Sequence, residues 1–117
     1  MGGAVHTVLV VDDDESVRML CRVNLELEGY RVLEAPCVDA AQELLRDGDV
    51  DIVLLDVHVG NDDGFVLLRQ ISGERVVLFT ASYEVNAAAR ERVDAVLAKP
   101  FTLSELSATV AEVAATV

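Results

Sequence analysis

Short apolar runs rich in β-branched residues alternate with segments of helical periodicity along the whole chain, and this alternation constrains the fold more than any other feature. The first run, residues 7–11, is continuously apolar and reads as a buried strand; residues 30–35, 51–55, 75–79 and 94–98 read as the second to fifth strands. Residues 16–28 gather Val17, Leu20, Cys21, Leu25 and Leu27 on one side of a helix, and Gly29 supplies its stop. A second helix at 38–46 is ended by Asp47 and Gly48, the loop at 61–64 precedes a short helix at 65–71, and 84–92 suits a fourth helix through its alanines and charges. Pro100 forbids simple continuation of the last strand. Beyond it, Leu103, Leu106, Val110, Val113 and Val117 are spaced 3, 4, 3, 4, one face of a helix with Thr102 or Ser104 available as cap. Strands and helices joined in this order by short loops predict right-handed crossovers and a parallel sheet covered on both faces, an α/β fold.

A chain of 117 residues with 52% hydrophobic content has room for one domain with one core, so residues 1–117 are expected to form a single unit with a frayed start at 1–4. Against 21 acidic residues stand 9 basic ones, a net charge of −12 that repels nucleic acid and anionic lipid and favours cations or basic protein patches. No apolar run approaches the ~20 residues that span a bilayer, and the amino end lacks the order of a signal peptide. A cytoplasmic protein without membrane contact or direct nucleic-acid binding is expected. Cys21 and Cys37 fit neither a disulfide framework nor a zinc site and read as structural thiols.

Four of the apolar runs end on reactive polar residues: Asp12 and Asp13, then Asp56, then Thr80, then Lys99. In an open parallel sheet the carboxyl ends of the strands line one crevice, so three acids, a hydroxyl and an ammonium would converge on something small and anionic. Lys99 is the only lysine among 9 basic residues, and it stands directly before Pro100. Each motif alone has a plainer explanation. Residues 12–15 could be the acidic start of a helix with Asp14 as its cap. Asp56 could cap a loop, Thr80 could satisfy a strand end, and Lys99 could be a surface charge. Their joint order at successive strand ends favours a site.

The ordered set Val10-Val11-Asp12-Asp13, Asp56, Thr80-Ala81 and Lys99-Pro100-Phe101 resembles the receiver domain of bacterial response regulators. The resemblance covers essentially the whole chain, including the Glu28-Gly29-Tyr30 helix stop and the Asp63-Gly64 that opens the third helix. It implies a flavodoxin-like three-layer sandwich of five βα units, with the parallel sheet in the order 2-1-3-4-5. It also implies two-component signal transduction. A sensor histidine kinase or a histidine phosphotransfer protein would donate a phosphoryl group from a phosphohistidine to Asp56, and a downstream protein target would read the change. No effector domain is expected in this chain, which would be a phosphoacceptor assisting its own phosphorylation and dephosphorylation, not an enzyme with turnover.

The chemistry of phosphoryl transfer agrees, because negative charge spreads over three equatorial oxygens and the site must position the acceptor and neutralise them. Asp56 is then the nucleophile. Asp13, with Asp12 largely through water, would hold Mg²⁺ together with Asp56, since this hard cation takes a few carboxylates and keeps several waters. The resemblance adds the backbone carbonyl of His58 as a further ligand. Thr80 would donate a hydroxyl hydrogen bond to one phosphoryl oxygen and Lys99 would bring a compact charge to another.

Several positions depart from the family pattern. Val96 stands where an aromatic side chain usually turns inward three positions before the lysine, and valine has neither ring nor hydroxyl. Gly60 stands where proline is common, and the stretch from Gly64 to Arg75 is short, which predicts a truncated third helix. His58 and Ser82 hold the two variable positions that in the family modulate hydrolysis; neither can place water with a carboxylate or carboxamide, so a long-lived phosphorylated state is expected. His58 as a transition-metal ligand carries little weight among carboxylates. A phosphatase of the haloacid dehalogenase type is the main rival, because Asp12, Asp14 and Ser16 satisfy its first motif. The short chain, the lack of paired acids after Lys99 and an idle Asp56 oppose it. A degenerate receiver acting as a protein-binding module is the other. The last helix is sparsely charged, and a homodimer through it is a further expectation.

Overall fold

The computed structural model describes residues 5–81 and 87–117. Strands β1 (Thr7–Val11), β2 (Arg31–Ala35), β3 (Ile52–Asp56), β6 (Arg75–Thr80) and β7 (Ala95–Ala98) form one sheet in the order β2-β1-β3-β6-β7. Every pairing in it is parallel, so the strands of this sheet follow the expected 2-1-3-4-5 order. Two short strands, β4 (His58–Val59) and β5 (Asp62–Asp63), make a separate antiparallel ribbon where the sequence suggests only a loop. Gly60 turns that ribbon at φ 63, a conformation a proline ring forbids, so the usual proline could not occupy this turn.

Helices α1 (Glu15–Leu27) and α5 (Leu103–Ala114) cover one face of the sheet, while α2 (Val38–Arg46), α3 (Gly64–Leu68) and α4 (Ala87–Glu91) cover the other. The core is accordingly split in two by the sheet. Leu9, Val11, Val53, Leu55, Val76 and Leu78 point to the α2 side, and Val8, Val10, Ile52, Leu54, Val77 and Phe79 to the α1 side. Burial of both faces explains why the central strands read as unbroken apolar runs and not as alternating ones.

Tertiary hydrogen bonds tie the elements down. Asp51, just before β3, accepts from the Thr7 N–H at 2.8 Å, and Asp94, just before β7, accepts from the Val76 N–H at 2.8 Å, so an acid at each strand foot closes the sheet's lower edge. The Asp62 carboxylate accepts from the Val38 N–H at 3.1 Å and so caps α2, whose own N-cap residue Cys37 offers no side-chain bond. Thr102 and Glu105 form a reciprocal capping box at the start of α5, which selects Thr102 over Ser104 as the cap.

Two details of the helices differ from expectation. In α1 the buried residues are Cys21 and Leu25, whereas Leu20 is 42% and Leu27 81% exposed. Repeats of four from Val17 keep one line toward the sheet, and positions 20 and 27 fall to its side. In α5, Leu106, Val110 and Val113 are buried, but Leu103 at its first position is exposed, as is Val117, which falls past the helix end. The third helix is short, Gly64–Leu68. The part of the fourth helix predicted at 84–86, and Ser82, lie outside the described residues.

Candidate functional site

The two-residue period of a strand decides which side chains can meet above the sheet. Asp12 continues the parity of Val8 and Val10, Asp56 that of Ile52 and Leu54, and Lys99 that of Ala95 and Leu97, so all three project from the α1 face. They meet there. Lys99 Nζ donates to Asp12 Oδ2 at 2.7 Å and to Asp56 Oδ2 at 3.3 Å, across 87 and 43 positions of sequence. Asp12 is fully buried and Asp56 nearly so, and the Lys99 side chain that pairs with both is only 22% exposed. Beneath it lies Phe79, whose ring centroid is 5.9 Å from Nζ and 5.0 Å from that of Phe101. The Lys99–Pro100 bond is cis.

Asp13, exposed at the mouth, completes an acidic group: ligand oxygens of Asp12, Asp13 and Asp56 all lie within 4.8 Å of one another. An all-oxygen, anionic donor set of this spacing fits a hard divalent cation that retains part of its water shell. The imidazole of His58 is not part of this set among the described residues. Its side chain is exposed, and it is the backbone N–H of His58 that donates to Asp56 Oδ1 at 3.1 Å. Thr80 is buried at the end of β6, one residue beyond Phe79, the register partner of Asp56. By parity Thr80 belongs to the opposite face from Lys99, the face on which Val96 packs.

Burial raises the pKa of Asp56, and the charge of Asp12 adds to this; the His58 N–H and Lys99 oppose it without cancelling it. Burial alone would lower Lys99, but its hydrogen bond to Asp12 and the charges of Asp12 and Asp56 outweigh that, so its pKa is raised. The pocket therefore holds its ammonium firmly and its central carboxylate reluctantly.

Two contacts of this site escape sequence reasoning. Gly64 packs directly against the chain at Asp56, and its N–H donates to the Val57 carbonyl at 2.8 Å, which fastens the turn after β3. Arg18, one turn into α1, donates from Nη1 to the main-chain oxygen of Asp12 at 2.8 Å. A glycine opening a helix and an arginine six residues after an aspartate carry no local signal of either contact.

The family model described as "Response regulator receiver domain" matches residues 8–111. Sensor kinase CckA of Brucella abortus is 38% identical over 115 residues, covering 91% of this chain and 12% of that protein. The KDP operon transcriptional regulatory protein KdpE of Escherichia coli is 33% identical, covering 86% of this chain and 48% of its own length. The chain thus spans about half the length, or less, of these curated relatives. Among solved structures, a CheY-like receiver domain from Methylobacillus flagellatus superposes with a TM-score of 0.85 at 18% identity, over 94% of this chain and 99% of that one. A response regulator from Thermotoga maritima does so with a TM-score of 0.84 at 24% identity, over 96% and 99%.

Proposed function

This chain belongs to the response regulator receiver family of two-component signal transduction, and from that premise we propose that its acidic pocket accepts a phosphoryl group on Asp56 from a phosphohistidine. The observation that carries the reading is the meeting of Lys99 with Asp12 and Asp56 beside Asp13 at the carboxyl edge of the sheet. Asp56 is the nucleophile: its Oδ2 attacks phosphorus, the bond to the histidine nitrogen breaks, and an acyl phosphate forms. Asp12, Asp13 and Asp56, with the main-chain carbonyl of His58, hold Mg²⁺, which supplies charge stabilisation to the phosphoryl oxygens when bound. Lys99 leaves the carboxylate of Asp56 for a phosphoryl oxygen, and Thr80 donates its hydroxyl to another. The His58 N–H holds Asp56 Oδ1, which leaves Oδ2 to react.

Receiver domains interact with histidine kinases, and one relative here is a sensor kinase. The donor is a sensor histidine kinase or a histidine phosphotransfer protein. Beside Lys99 the wall is apolar, formed by Val17, Leu20, Ala81, Pro100 and Phe101, which supports a protein donor over a small phosphate ester. The output passes to a downstream protein target, in the cytoplasm and without direct contact to nucleic acid. Among the described residues no helix is long and apolar enough to cross a membrane. The 117 residues form one receiver domain, and as a phosphoacceptor it turns over only itself. Self-association is a second proposal, favoured by a groove in which Leu27 of α1 and Leu103 of α5 face solvent; dimer growth in light scattering with a phosphate mimic tests it.

Calorimetry with Mg²⁺ and beryllofluoride tests the main reading. One equivalent binds to the parent chain and none to Asp56→Asn. Steady release of phosphate from a generic ester, in place of a single stoichiometric labelling, would support the phosphatase instead.

A further inference from the structure

What the fold sets for Asp13 is the direction of its Cα–Cβ bond. Among the described residues no hydrogen bond or ion pair reaches its carboxylate, although its ligand oxygen lies with those of Asp12 and Asp56. Where that carboxylate can reach therefore depends on the Cα–Cβ bond that carries it, which the two flanking peptide planes orient. The following plane is held by the Asp14 N–H, which donates to Asp12 Oδ1 at 3.0 Å. The preceding plane is held by its oxygen, the Asp12 carbonyl, which accepts from Arg18 Nη1 at 2.8 Å.

We infer that Arg18 is a positioning residue for the metal-binding edge of the site, acting through the 12–13 peptide on Asp13. Its side chain is only 14% exposed and is paired from behind with Glu34 of β2, whose Oε1 is 3.4 Å from Arg18 Nε. The other oxygen of Glu34 is 3.0 Å from Arg22 Nε, so one edge-strand carboxylate spans two turns of α1 and fixes the fork. The planar fork matters because a single guanidinium must meet a carboxylate with one nitrogen and a carbonyl with another, which a lysine ammonium on a flexible stem cannot hold in one geometry. Asp12 itself stays put without this contact: its N–H donates to the Ala35 carbonyl at 3.2 Å and its Oδ2 accepts from Lys99. What Arg18 adds is the rotation of the next peptide, and through it the aim of Asp13.

The inference rests on the reading of the three acids as a Mg²⁺ site, and the experiment separates the two. Mg²⁺ binding is followed by calorimetry in the absence of any phosphoryl donor. Arg18→Lys keeps the charge and loses the fork, and is expected to weaken Mg²⁺ about tenfold, the lower end for a group that orients a ligand from behind. Unfolded protein would show as lost stoichiometry, not as weaker affinity. Arg22→Ala, which strips Glu34 of its other partner, stays within about twofold. In an Asp13→Asn background Arg18→Lys has no further effect, because the residue it aims is no longer a charged ligand. Unchanged affinity in Arg18→Lys, or an equal loss in the Asp13→Asn background, overturns the role of Arg18 and leaves the metal site standing. Failure of the parent chain to bind Mg²⁺ overturns both.

Discussion

Gly64 lies so close to Asp56 that a Cβ built on it would overlap the main-chain oxygen of Asp56 and stand 2.9 Å from that of Val57. The backbone of Asp56 is thus in contact with the first residue of α3, and only glycine leaves room.

Gly64→Ala should cost roughly 1–3 kcal/mol of stability in urea, the range for overpacking against groups that cannot yield. The strain falls on the backbone of Asp56, so Mg²⁺ affinity drops with it. Gly73→Ala is the matched comparison: its φ of 99 is unfavourable for alanine, but nothing lies within 4 Å of the new carbon. It should cost about 1 kcal/mol and leave Mg²⁺ binding unchanged.

Lys99 is the resident countercharge of Asp12 and Asp56. Lys99→Ala should lower the stability of the metal-free protein by roughly 2 kcal/mol, less than a fully buried pair because Nζ reaches solvent at one side. The same change should tighten Mg²⁺ by roughly tenfold, the effect of about 1.4 kcal/mol of repulsion removed, while stoichiometric labelling by a phosphoryl donor is lost. Opposite signs for metal binding and phosphorylation are the signature of a charge that serves the phosphoryl group, and calorimetry beside a labelling assay reads both.

The three central strands are legible because each is a buried run rich in β-branched or leucine side chains, the two edge strands because polar residues bound a shorter apolar core, and α2 is legible to its ends, Val38–Arg46, because Asp47 and Gly48 stop it locally. The strand-end residues follow, since order along the chain maps onto order across a parallel sheet. What is illegible is set by contacts distant in sequence. Asp62 caps a helix 24 positions earlier, and the β4–β5 ribbon depends on a pairing of only two residues from each side. The exposure of Leu27 follows from where α1 sits on the sheet, which its own periodicity leaves open by one helix edge.

Cys21 lies beneath the acidic pocket, and burial, aided by the charge of Asp12, pushes its thiol from the ordinary 9.0 up to about 12. At pH 8 it holds roughly a thousandfold less thiolate than an unperturbed thiol. A disulfide reagent should therefore label Cys37 in the native protein and reach Cys21 only on unfolding. Two equivalents reacting at the same rate without denaturant would contradict this. Because the folded value lies above the unfolded one, Cys21 contributes stability that is intact below pH 9 and lost as pH rises toward 12.

Asp56 carries the more telling pH dependence. Its pKa is raised by burial and by Asp12, so the folded protein holds the Asp56 proton more tightly than the unfolded chain does. The stability this provides is complete below the ordinary carboxylate range and disappears as pH climbs through the raised folded value, so at neutral pH the ionised Asp56 is a burden on the metal-free fold. Asp56→Asn, which fixes the side chain in its neutral form, should raise stability at pH 7 by roughly 1 kcal/mol, as relief of a functional cluster commonly does. The gain should shrink toward zero as pH falls into the carboxylate range, and Mg²⁺ should stabilise the parent but not the variant. Thermal unfolding of both proteins across that pH interval, with and without Mg²⁺, measures the difference. A variant less stable than the parent at neutral pH would mean that the attraction of Lys99 outweighs burial, and would reverse the sign argued here.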